Sequence, residues 1–170
     1  MSGPVVTRVA QLPADGSLSA WMLIGMMPED DETDAWSYRT GAVKTVRPVR
    51  VATDGAAVLI DESWGAWPLT KRGQTAFAAT ILVGRATTND VCIVDGSISK
   101  LHARIRRDGD SLWLSDADSS NGTVVNGDPI PPGEEVLLTT GDLVRFGARV
   151  FQVFSPEQLT TVLRGLRSGR

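Results

Sequence analysis

An all-β fold, an antiparallel β-sandwich, is predicted for most of this chain, and three observations carry the prediction. Apolar runs stand at 77–83, 91–94, 103–105, 112–114, 123–125, 136–138, 143–146 and 150–154. Turn chemistry fills the gaps: Thr88-Asn89-Asp90, Asp108-Gly109-Asp110, Asn126-Gly127-Asp128, Thr140-Gly141-Asp142 and Gly147. Short strands about ten residues apart with a turn in each gap are the pattern of a sandwich. Finally, His102, Arg104 and Arg106 alternate with Ala103 and Ile105, so that strand should bury one face only.

Taken in order, the elements begin with a segment that resists assignment. Residues 1–61 read as an N-terminal extension, partly β. Leu18 to Met27 suits either a short buried strand or a helical turn, and the acidic stretch after Pro28 reads as a solvated loop. Val46, Val49 and Val51, then Thr53-Asp54-Gly55, then Ala57-Val58-Leu59-Ile60 predict two strands joined by a tight Asp-Gly turn. Pro48 cannot donate to a ladder, which makes the first of them an edge strand. Residues 62–155 form the sandwich. Residues 156–170 change character: Ser155 is an N-cap, Pro156 opens the helix and Gln158 completes a capping box. Leu159, Val162, Leu163 and Leu166 recur at helical spacing, with Arg164, Arg167 and Arg170 toward the carboxyl end. Such a short amphipathic helix needs something to pack on, either its own sandwich or a partner.

Composition sets limits. At 170 residues, 42% hydrophobic and 22% charged, the chain can bury a core. The net charge of −3 argues against non-specific nucleic-acid binding. That charge is uneven: residues 1–36 hold one basic residue, Arg8, against six acidic ones, five of them within Glu29–Asp34. Residues 71–154 are nearly balanced, which leaves room for a local basic pocket. Cys92 is the only cysteine, so no internal disulfide forms, as suits a reducing compartment. No leader is visible, and the apolar run from Ala20 to Met27 is too short to span a bilayer. A cytoplasmic protein with no membrane association is expected.

Five short stretches carry the candidate chemistry: Gly84-Arg85, Ser99, His102, Asn121-Gly122-Thr123 and Asn126-Gly127. Most stand where an apolar run ends and a turn begins. A basic residue, a small hydroxyl and an amide on neighbouring loop tips can hold a phosphate and the peptide bearing it. Their order, spacing and types resemble the forkhead-associated (FHA) domain, a phosphothreonine-reading module, over roughly residues 62–155. Within that family the chain resembles the small bacterial type of FHA adaptor.

That resemblance implies roles. Arg85 would be the principal phosphate-binding residue, its planar fork suited to a group carrying nearly two negative charges. Ser99 would donate a hydroxyl to the phosphate, and Lys100 would add a point charge. Ser120 would touch the phosphate or its neighbour, and Asn121 would reach the peptide main chain. Gly84, His102, Gly122, Thr123, Asn126 and Gly127 would support the site. Asn126-Gly127 is also a hairpin signal in its own right.

Other readings are weaker. His102, the only histidine, invites a catalytic or metal role. Metal sites need several ligands, and no Gly-x-Ser-x-Gly elbow or oriented triad is visible. No metal, cofactor or catalytic residue is expected. Asp90, Asp95, Asp116 and Asp118 read as turn acids. Thr33, among acids at 30–34, is a candidate regulatory phosphosite. The expected function is a non-catalytic adaptor that binds a Thr-phosphorylated partner, a Ser/Thr kinase or its substrate. The alternative is a phosphate-independent scaffold that docks partners through the sandwich, the extension or the terminal helix. Partner identity, sequence preference and oligomeric state stay open.

Overall fold

Alternation of buried and exposed side chains builds two facing sheets in the computed structural model, which describes residues 6–27, 60–73 and 79–168. The strands are β1 (Thr7–Arg8), β2 (Met22–Gly25), β3 (Gly65–Pro68), β4 (Thr80–Gly84), β5 (Val91–Cys92) and β6 (Ala103–Asp108). They continue with β7 (Ser111–Asp116), β8 (Thr123–Val125), β9 (Asp128–Pro129), β10 (Glu135–Leu138), β11 (Leu143–Phe146) and β12 (Arg149–Phe154). A single helix, α1 (Pro156–Ser168), follows. The larger sheet has the order β1-β3-β2-β12-β11-β8-β9, and the smaller runs β10-β7-β6-β4-β5. The predicted hairpin before Ile60 and the acidic stretch with Thr33 lie outside the described residues.

Every predicted apolar run from 91 onward holds a strand, and the run at 77–83 meets β4. The sandwich is mixed in one place. β4 and β5 run parallel, with Val83 opposite Val91 and Gly84 opposite Cys92. Asp90 explains the return: its carboxylate accepts from Leu82 N at 2.8 Å and Arg72 N at 2.7 Å, and from Lys71 Nζ at 2.9 Å. The chain is thereby pulled back beside the strand it has just left.

Between the sheets lies the main core, with Leu23, Trp67, Val83, Ile105, Leu114, Phe146, Phe151 and Val153 among its members. Trp67 meets Phe151 edge-on at 5.2 Å between ring centroids. Adjacent residues on β2, β3 and β12 point to the opposite face. There Met22, Ile24, Ala66 and Phe154 form a second core with Val9, Leu12, Ile60 and the helix residues Leu159, Val162 and Leu163. Each such side chain contributes roughly 1.5–3 kcal/mol when fully buried. The helix therefore packs on its own sandwich. Arg164 Nε donates to Ala14 O at 2.9 Å and Arg167 to Leu12 O, which ties the last helical turns to the N-terminal segment. Ser155 caps the other end, its Oγ accepting from Gln158 N at 3.3 Å.

Strand β2 resolves the ambiguity of Leu18–Met27. It lies between β3 and β12, with Met22 opposite both Pro68 and Phe154. All four of its residues are buried, so no alternation could show. Asn126 and Gly127 have φ of 50° and 89° and turn the chain from β8 into β9, as the pair predicts.

Candidate functional site

Three loops and one turn meet at one end of the sandwich: 85–90, 93–102, 117–122 and Gly147-Ala148. Backbone bonds join the first two, from Arg85 N to Ser99 O at 2.9 Å and from Ala86 N to Lys100 O at 3.1 Å. Gly84 permits this approach. A Cβ there would collide with Lys100 O and come within 2.8 Å of Asn89 Nδ2.

Arg85 is exposed, and its Nε donates to Ile98 O at 3.0 Å. That bond fixes the plane of the guanidinium. Among the described residues its terminal nitrogens have no partner, so the fork faces solvent. Lys100 is exposed beside it. Ser99 Oγ accepts from Ser120 N at 3.0 Å, which leaves its own proton able to donate outward. The sequence placed Arg85, Ser99, Lys100 and Ser120 together, and the structure does bring them together.

His102 lies beneath them, fully buried, and not on the exposed face with Arg104 and Arg106. The alternation of β6 begins only at Ala103, because the chain bends through Lys100-Leu101 before the strand starts. Nδ1 accepts from Ser99 N at 3.1 Å, so the ring proton is on Nε2, which donates to Gly122 O at 3.0 Å. The backbone adds His102 N to Val83 O at 2.8 Å and Ala117 N to His102 O at 2.9 Å. Burial holds the imidazole below its ordinary 6.5, against the opposing pull of the Gly122 carbonyl and Asp116. The neutral ring braces both the Ser99 loop and the Asn121 loop.

Asn121 is exposed, and its Nδ2 donates to Ser97 O at 2.8 Å. The amide is thus anchored across two loops, with Oδ1 left as an acceptor. Gly122, at φ 81°, takes a turn that disfavours a side chain. Thr123 Oγ1 donates to Asp116 Oδ1 at 2.6 Å. Asn126 and Gly127 do not join this group. They sit at the far end of β8, where Asn126 Nδ2 donates to Asp142 Oδ1 at 2.9 Å and its Oδ1 accepts from Leu143 N at 2.9 Å.

Several organising residues were not tied to the site at the sequence level, Asp95 and Asp116 being read only as turn acids. Asp116 also accepts from Ser119 N at 2.9 Å and Ser119 Oγ at 2.6 Å. Burial alone would raise its pKa; the Ser119 and Thr123 bonds outweigh that and hold the carboxylate low. Asp95 similarly accepts from Ser97 N and Oγ at 2.8 and 2.6 Å. The available signal was an aspartate two or three residues before a serine, the mark of an Asx turn. Gly147 is a second close approach, since a Cβ there would collide with Ser97. Cys92 is buried, its thiol pushed up by burial, and donates to Arg85 O at 3.4 Å. It supports the loop from beneath.

Among the described residues, no helix is long and apolar enough to cross a membrane. A family model described as FHA domain matches residues 81–147. An FHA domain-containing protein of Arabidopsis thaliana is 39% identical over 70 residues, covering 41% of this chain and 18% of that protein. The glycogen accumulation regulator GarA of Mycolicibacterium smegmatis is 31% identical over 108 residues, covering 59% of this chain and 66% of its own length. A solved FHA domain from work on phosphothreonine-dependent FHA interactions is 27% identical over 60% of this chain and 88% of its own, with a TM-score of 0.45. This chain spans less than a fifth of the Arabidopsis protein and about two thirds of GarA. With its matched segment forming the loops that hold Arg85, Ser99 and Asn121, the chain belongs to the FHA domain family.

Proposed function

We propose that this protein is a non-catalytic adaptor that recognises phosphothreonine peptides in Ser/Thr-kinase signalling. One observation carries the reading: the oriented, outward-facing fork of Arg85 stands beside the free Ser99 hydroxyl proton on hydrogen-bonded loops. Charge-assisted bonds to a phosphate contribute roughly 1.5–3 kcal/mol each. Lys100 adds positive charge, Ser120 stands against Ser99, and Asn121 offers its amide to the peptide main chain. The partner is a Thr-phosphorylated protein, a kinase or a kinase substrate, met in the cytoplasm. Titration with a degenerate phosphothreonine peptide library, beside its unphosphorylated counterpart, tests this. Binding should require the phosphate, and Arg85→Ala should weaken it by about 1.5–3 kcal/mol or more. Equal binding of both libraries would favour a phosphate-independent scaffold instead.

A further inference from the structure

The loop that presents Ser99 is held from outside the segment that the family model matches. Asp95 Oδ2 lies 3.7 Å from Arg149 Nε, and both side chains are largely covered, at 21% and 23% exposure for Arg149 and Asp95. Arg149 is the first residue of β12, and its Nη2 donates to Met26 O, immediately after β2. One guanidinium therefore spans the end of β2 and the Asp95 carboxylate. From Asp95 the connection passes to Ser97, whose Oγ accepts from Ala148 N at 2.9 Å and whose carbonyl accepts from Asn121 Nδ2 at 2.8 Å.

We propose that Arg149 is a positioning residue for the phosphopeptide site, coupling β2 through Asp95 and Ser97 to the Ser99 and Asn121 loops. The proposal rests on the phosphothreonine reading for its ligand. Its geometry stands apart from that reading. Asp95 satisfies Ser97 by itself, so the contribution of Arg149 is to fix where that paired unit sits relative to the sheet. Arg149 reaches its two acceptors from different nitrogens of a planar fork, Nη2 and Nε, whereas the three N–H donors of lysine all radiate from one point. The charge alone is therefore not enough. Lys71 performs a comparable service for the Arg85 loop by holding Asp90.

The test uses the full chain as wild type, Arg149→Gln, Arg149→Lys, Asp95→Asn and the Asp95→Asn/Arg149→Gln pair. Three quantities are read: affinity for a phosphothreonine peptide selected by the library titration, the thermal midpoint, and the ligand-free amide shifts of Ser97, Ser99 and the Asn121 side chain. Each single change is expected to weaken binding about tenfold, with the double variant no weaker than either, as for two residues acting as one unit. Arg149→Lys should fail to restore affinity, the amide shifts should move, and the thermal midpoint should change little. Wild-type affinity in Arg149→Gln, additive losses in the double variant, or losses that track the midpoint alone would overturn the proposal. If the wild type binds no phosphopeptide, the phosphothreonine reading falls. The amide shifts then decide the coupling, unchanged shifts in Arg149→Gln refuting it.

Discussion

His102 accepts at Nδ1 from Ser99 N, so adding a proton there would set two donors face to face. Its folded pKa lies below 6.5, so the unfolded chain binds more protons between those two values. Stability should therefore fall as pH drops from about 6.5 toward the folded pKa, and be fully present above 6.5. Thermal midpoints across pH 7 to 5, with the imidazole shift followed by NMR, check this; a histidine that titrates at or above 6.5 refutes it. Gly84→Ala must push Lys100 O aside, and overpacking of that kind costs about 1–3 kcal/mol. Chemical denaturation should show that loss together with weakened phosphopeptide binding. At this scale the placement of Arg85 and Ser99 on neighbouring loops was readable, because each stands beside an apolar run that ends in a turn. Asp95, Ser97 and Asp116 were opaque, because their importance lies in partners from other loops. A turn-forming aspartate looks the same whether its turn is isolated or clasped.

Strand β6, with one wet face, announced itself by alternation from Ala103 onward, and β7 by its apolar run. β2 did not, being covered on both faces by the two cores. The parallel β4–β5 pair was equally hidden, because Asp90 dictates the chain's return through contacts with Lys71 and Arg72 that local pattern does not encode. The helix was legible from its cap and stripe, though its seat on the N-terminal segment was not. Leu163 is 1% exposed in that seat, and Leu163→Ala should cost about 2–5 kcal/mol in denaturant unfolding. The Asn126-Gly127 hairpin offers a contrast. Gly127 has φ 89°, so Gly127→Ala should cost roughly 1 kcal/mol of stability yet leave phosphopeptide affinity unchanged, since the hairpin lies at the other end of β8. A shared loss of affinity would mean the hairpin acts on the site after all.

For the molecule as a whole, the family match at 81–147 is smaller than the folding unit. It omits β2, β3 and β12, which supply Leu23, Trp67, Phe151 and Val153 to the main core. A fragment limited to 81–147 should lack a cooperative thermal transition, and one starting at residue 62 should be markedly destabilised for want of β2. Circular dichroism melts of both beside the full chain decide this.

The placement of β2 between β3 and β12 has a further effect on how the protein is made. Residue 22 must find residue 154, so the large sheet closes only through contacts between distant parts of the chain. Pairings of such long sequence separation are slow to form. On the ribosome, the early strands must wait, half-matched and adhesive, until β12 has emerged. The larger sheet is complete at β2 only once β12 slots in beside it.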